Sequence, residues 1–143
     1  ADGRSMAAAL TLGASGVMMA SRFIATTECE VHDNIKQELV RRQENETTLI
    51  CKSIGLQGRA LKNRIISEVL DAEAQGKGLE ALIPLIAGQR IKNAWEKGDI
   101  DDAPLMVGQS IGHIHSVVSC RELLKTIHDE AVDHLRRASS LIQ

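Results

Sequence analysis

The chain has 143 residues, 43% of them hydrophobic and 25% charged, with a net charge of −2, an ordinary balance for a globular protein and enough for one domain. That balance leaves no electrostatic footprint for nucleic acid, and one Phe and one Trp make no stacking platform for bases. No apolar run reaches the roughly 18 residues of a membrane span, the N-terminus has no signal-peptide pattern, and Cys29, Cys51 and Cys120 lack a C-x-x-C spacing, so free thiols and a cytoplasmic setting are expected.

Residues 5–12 are Ala-rich and predict a first helix, stopped at Gly13. Val17, Met18 and Met19 form a short, continuous apolar run, as in a strand covered on both faces of a parallel sheet. Ala20 and Ser21 follow, small enough to let a ligand approach the backbone, and a helical turn starting there would aim free N–H groups at an anion. On spacing alone the stretch reads as a core strand with a small-residue turn or as a strand ending in a phosphate-binding turn.

Residues 24–33 form an irregular connector, in which His32 reads as a capping or packing residue. Asp33 or His32 then opens a helix carrying Ile35, Leu39 and Val40 and ending near Gln43. The β-branched residues 47–51 predict a strand, residues 54–58 a Gly-punctuated loop, and Ala60, Leu61, Ile65, Ile66, Val69 and Leu70 the apolar face of one helix. On that helix Arg59 and Arg64 read as a solvated or ion-paired face. Two further helical pieces follow: residues 79–86, which include Pro84, and residues 88–97, which hold Trp95 and end at Gly98. Asp99, Asp101 and Asp102 lack EF-hand spacing and read as a solvated turn. His113 and His115, at i and i+2, would share one face of a strand, but no third ligand accompanies them and no metal site is assigned. Ser119 and Glu122 form a capping box that opens the longest helix, whose stripe is Leu123, Leu124, Ile127, Ala131, Leu135 and Ala138, with His128 and His134 on its surface.

Read together, A-D-G-R followed by A-A-A-L-x-L-G-A-x-G-V-x-M-x-[ST]-R-F closely resembles the last βα units of the FMN-dependent TIM-barrel family. That family contains nitronate monooxygenases (2-nitropropane dioxygenases) and flavin-dependent enoyl-acyl-carrier-protein reductases. Glu28 and His32 extend the resemblance, as does Gly108-Gln109-Ser110-Ile111-Gly112, which is similar to a late loop returning to the barrel mouth. The resemblance spans nearly the whole chain and is strongest over residues 1–32 and 104–114.

It implies an α/β fold: the C-terminal portion of a TIM (β/α)8 barrel with an added, mainly helical segment. Residues 1–32 would be the last βα units, 33–103 the helical segment, and 104–143 the return loop and C-terminal helix. A whole barrel needs about 250 residues, and the motif is joined in its middle at Ala1, so a piece of a longer chain is expected. An open strand edge would favour homo-oligomers.

The implied cofactor is FMN, its phosphate held by the amides of Ala20 and Ser21 and the Ser21 hydroxyl, with Gly3 at the edge and Gln109 near a small-molecule substrate. The family's usual residue at position 20 is Gly. Its catalytic His and ring-binding residues lie on earlier strands, so the catalytic residues are expected outside this chain. The implied activity is oxidation of alkyl nitronates with O2, with enoyl reduction by NAD(P)H as the alternative. Two readings of other classes remain open: a flavin-free phosphate-binding barrel enzyme and a non-catalytic helical interaction module.

Overall fold

The computed structural model describes residues 2–142; Ala1, the first residue of the A-D-G-R motif, lies outside them. Helix α1 (Gly3–Thr11) begins earlier than the Ala run suggests. Asp2 caps it, its carboxylate accepting from the Ser5 amide at 2.7 Å and the Ser5 hydroxyl at 2.6 Å. Gly13, at φ 97°, takes the left-handed conformation that ends it.

The expected buried strand at residues 17–19 is not formed. The segment is irregular, pairs with no other strand among the described residues, and leaves Met18 99% exposed. A parallel strand is held by hydrogen bonds to flanking strands, and an apolar run without them has nothing to enforce its extension or cover it. The short turn α2 (Ser21–Ile24) follows directly.

Helix α3 (Asp33–Arg41) starts where the sequence places it. His32 is its cap, with Nδ1 accepting from the Asn34 amide at 3.1 Å. Strands β1 (Thr47–Ile50) and β2 (Gly58–Leu61) form an antiparallel hairpin in which Thr47 faces Leu61 and Ile50 faces Gly58. β1 stops at Ile50 because Cys51 turns into the left-handed region, at φ 58°.

β2 corrects the sequence reading, which placed Ala60 and Leu61 on a helix. Asn63 caps the Ile66 amide at 3.0 Å, so α4 (Arg64–Ala74) begins only after it. Ala60 and Leu61, fully buried, are spent on the hairpin. Arg59 accordingly lies on a strand, bonded to the Thr47 hydroxyl at 2.9 Å.

α5 (Leu79–Ile86) and α6 (Gly88–Lys97) follow as expected, the latter closed by left-handed Gly98. The acidic turn is more than a solvated loop: Asp102 is shared by Arg64 at 2.7 Å and Arg90 at 2.6 Å. Residues after it run beside β2, with the Leu61 amide bonded to Leu105 O at 2.9 Å. They then enter a 3-10 turn, Gln109–His113, so His113 and His115 do not share a strand face. Ser119 caps α7 (Cys120–Ser140), which buries Leu123, Ile127 and Ala131 but leaves Leu124 and Leu135 exposed.

Two clusters make the core. One joins Ala25, Ile35, Leu39, Leu61, Leu105, Val107, Ile111 and Ile114, drawn from the beginning, middle and end of the chain. The other packs Ile50, Ala60, Ile65, Ile66, Val69 and Leu82 within the hairpin and its helices. α1 lies on α7, so residues near the two ends of the chain form one wall.

Candidate functional site

Where the first cluster meets α1, three separate stretches enclose a cavity of about 500 Å3: Ser5 and Met6 from α1, residues 17–22, and Gln109, Ser110 and His113 from the 3-10 turn. The last two are joined by a hydrogen bond from the Gly108 amide to Ser21 Oγ, 3.0 Å long and 87 positions apart in sequence. Because Ser21 Oγ accepts there, its own proton remains available to donate into the cavity.

Of the sequence-derived candidates, Ala20, Ser21 and Gln109 all line this cavity. Ala20 has φ −115°, a conformation open to any L-residue, so its methyl group introduces no backbone strain where the resemblance has Gly.

Gly3 lies elsewhere. Its amide donates to Glu130 Oε2 at 3.0 Å, and it is buried against α7. A Cβ on Gly3 would stand 2.3 Å from Glu130 Cβ and 2.5 Å from Ile127 O. The structure therefore gives this glycine a helix-packing role and does not bring it into the cavity. Nearby, Asp2 faces His113 Nδ1 at 3.6 Å. Burial pushes the Asp2 carboxyl up, but the Ser5 hydroxyl and amide, together with nearby positive charge that includes His113, hold the group below its ordinary value.

The residue that sequence reasoning passed over is Arg22. It is only 7% exposed, lines the cavity, and donates to Ala25 O at 3.1 Å. Burial pushes its pKa down. The signal was present in the Ser21-Arg22-Phe23 run beside the turn, where an arginine side chain has to be accommodated within the packing around α2. Glu28 and His32 have structural roles. Glu28 accepts from the Cys120 amide at 2.9 Å, tying the connector to the start of α7, and the bonds from Cys120 and then Thr27 hold its carboxyl below the usual range. Cys51 is buried, and burial, then Glu73, push its thiol up. Among the described residues no group of three or more His, Cys, Asp or Glu could hold a metal, and no helix is long and apolar enough to cross a membrane.

The chain as a whole is similar to several known proteins. The chain is 25% identical to (3aS,4S,5R,7aS)-5-hydroxy-7a-methyl-1-oxo-octahydro-1H-indene-4-carboxyl-CoA dehydrogenase of Mycobacterium tuberculosis, covering 99% of this chain and 50% of that protein. It is 29% identical to a probable nitronate monooxygenase of Bacillus subtilis, covering 92% and 38%. Among solved structures, FabK from Thermotoga maritima superposes with a TM-score of 0.87 at 27% identity, covering 99% of this chain and 44% of FabK. The chain thus spans half the length, or less, of these relatives. Residues 1–130 match the nitronate monooxygenase family, and the chain belongs to that family.

Proposed function

We propose that this chain supplies the phosphate end of an FMN site and one wall of the substrate space in an oxidoreductase that oxidises alkyl nitronates with O2. The observation that carries the reading is the cavity itself, where the Gly108–Ser21 hydrogen bond unites the small-residue turn with Gln109. Its residues suit the group. Ala20 leaves the backbone accessible, the Ser21 hydroxyl has a proton to donate, and buried Arg22 supplies positive charge at low solvent exposure. When bound, FMN supplies the redox chemistry, and the protein's part is position and electrostatics.

In this reading Ala20 and Ser21 bind the phosphate, Gln109 offers a donor and an acceptor to the substrate, and Met6 and Met19 exclude water from the cavity wall. The catalytic residues belong to parts of the whole protein beyond this chain. FMN is titrated into the chain while flavin fluorescence is followed. Saturable binding that Ser21→Ala weakens supports the reading, and binding indifferent to that substitution refutes it.

Enoyl reduction with NAD(P)H, the alternative that the family resemblance implies, is the second reading. Consumption of NAD(P)H by the whole protein with an enoyl thioester, and none of a nitronate, would establish it in place of the first.

A further inference from the structure

The charge of the first cavity is unevenly supplied. Among the described residues no carboxylate lines it, and its ionisable side chains are Arg22 and His113. A phosphate monoester carries about −1.5 to −2 charges near pH 7, so the guanidinium answers about one of them. The remainder falls to His113, and an imidazole gains or loses its charge between about pH 5 and 8.

The backbone under His113 is held firmly. His113 ends the 3-10 turn Gln109–His113, between Ile111 and Ile114, which are both buried in the first cluster. Gly112 lies so close to Glu44 that a Cβ there would stand 2.5 Å from Glu44 Oε2, and α3 meets the turn through Ile35 and Leu39. Asp2 then orients the ring. Its Oδ1 accepts from the Ser5 amide and hydroxyl, while its Oδ2 faces His113 Nδ1 at 3.6 Å and Arg4 at 3.7 Å. With Nδ1 turned to Asp2, Nε2 on the opposite edge of the ring is the nitrogen left for the cavity. On its other side His113 shares a second space with Arg22, His115, His134 and Glu130. Glu130 accepts from the Gly3 amide, so Asp2 is the carboxylate paired with His113 among the described residues.

We propose that His113, oriented by Asp2, is the proton-dependent part of the grip on the FMN phosphate. As the imidazolium it donates to the phosphate beside Ser21 and Arg22, and the hold loosens when it loses its proton. The inference rests on the reading of the first cavity as the phosphate end of an FMN site.

Dissociation constants of FMN, and of riboflavin, which has no phosphate, are measured by flavin fluorescence between about pH 6 and about pH 8.5. The proteins are the full chain, His113→Gln and Asp2→Asn, and the ratio of variant to parent is taken at each pH, so that the titration of FMN itself cancels. His113→Gln lies at an exposed position and keeps a neutral donor. Its FMN ratio is about fivefold at the acid end, modest for a charge-assisted bond because the imidazole is 43% exposed. The ratio falls towards one at the alkaline end, and riboflavin shows no difference at either. Asn caps a helix as well as Asp does, so Asp2→Asn keeps α1 and moves the tightening of FMN to lower pH. An FMN ratio of one in acid, or one that stays constant with pH, overturns the proposal, as does an equal loss for riboflavin. An Asp2→Asn profile that overlays the parent's overturns the role given to Asp2. A parent that does not bind FMN saturably refutes the flavin reading and the proposal together. Binding that Ser21→Ala weakens and His113→Gln leaves unchanged refutes the proposal while the flavin reading stands.

Discussion

Gly3→Ala tests whether the first glycine of the motif serves packing or cofactor. The added methyl would meet Glu130 Cβ at 2.3 Å, Ile127 O at 2.5 Å and the Ala131 amide nitrogen at 2.7 Å. Two of these are backbone atoms of α7 and the third is fixed to it, so no rotamer change relieves the contact. α1 and α7 must move apart by about 1 Å to restore normal separation, and overpacking of this kind costs about 1–3 kcal/mol. The same movement stretches the charge-assisted Gly3–Glu130 hydrogen bond, worth about 1.5–3 kcal/mol when intact. Against this, alanine is favoured over glycine in a helix by about 1 kcal/mol. The balance is a loss of about 2 kcal/mol, which lowers the urea midpoint by about 1 M at an unchanged slope. Glu130→Gln keeps the shape and removes the charge, for a smaller loss of about 1 kcal/mol. A Gly3→Ala midpoint equal to or above the parent's would refute the α1–α7 contact. A Glu130→Gln protein of unaltered stability with weakened FMN binding would return Gly3 to the cofactor.

Three further outcomes are expected. Ser21→Ala removes the acceptor of the Gly108 amide and one donor to the cavity; at about 1.5 kcal/mol for a bond to a charged phosphate, FMN affinity falls about tenfold in a fluorescence titration. His32→Ala exposes the start of α3 and costs about 1 kcal/mol, whereas His32→Asn, itself a good cap, restores most of it in thermal unfolding. Burial raises the pKa of the Glu73 carboxyl, but bonds from Ser53 and Cys51 more than offset this and hold it below the ordinary 4.5. Its contribution is therefore complete above pH 4.5 and lost as pH falls through the lowered value. Glu73→Gln should be less stable than the parent at pH 7, with the gap closing in acid. A gap independent of pH would refute that assignment.

Local signals were enough for the helices, because capping and period act within a few residues. Ser119 before the Leu123 and Ile127 stripe, Gly98 after Lys97, and His32 before Ile35 and Leu39 each mark an end that the structure keeps. The candidate pair Ala20 and Ser21 was legible for the same reason, as a run of small residues after an apolar stretch. Pairing decided the rest. Ala60 and Leu61 have helix-forming side chains, yet antiparallel hydrogen bonds to β1 claim them. Val17, Met18 and Met19 have the composition of a strand and no neighbour among the described residues to make them one. Gly3 looked like a ligand contact until α7, more than a hundred residues later, closed over it. Arg22 became notable only once folding removed it from water without supplying a carboxylate among the described residues. Such facts arise from contacts between distant parts of the chain, whose energies depend on which surfaces meet and are not written in any short window of residues.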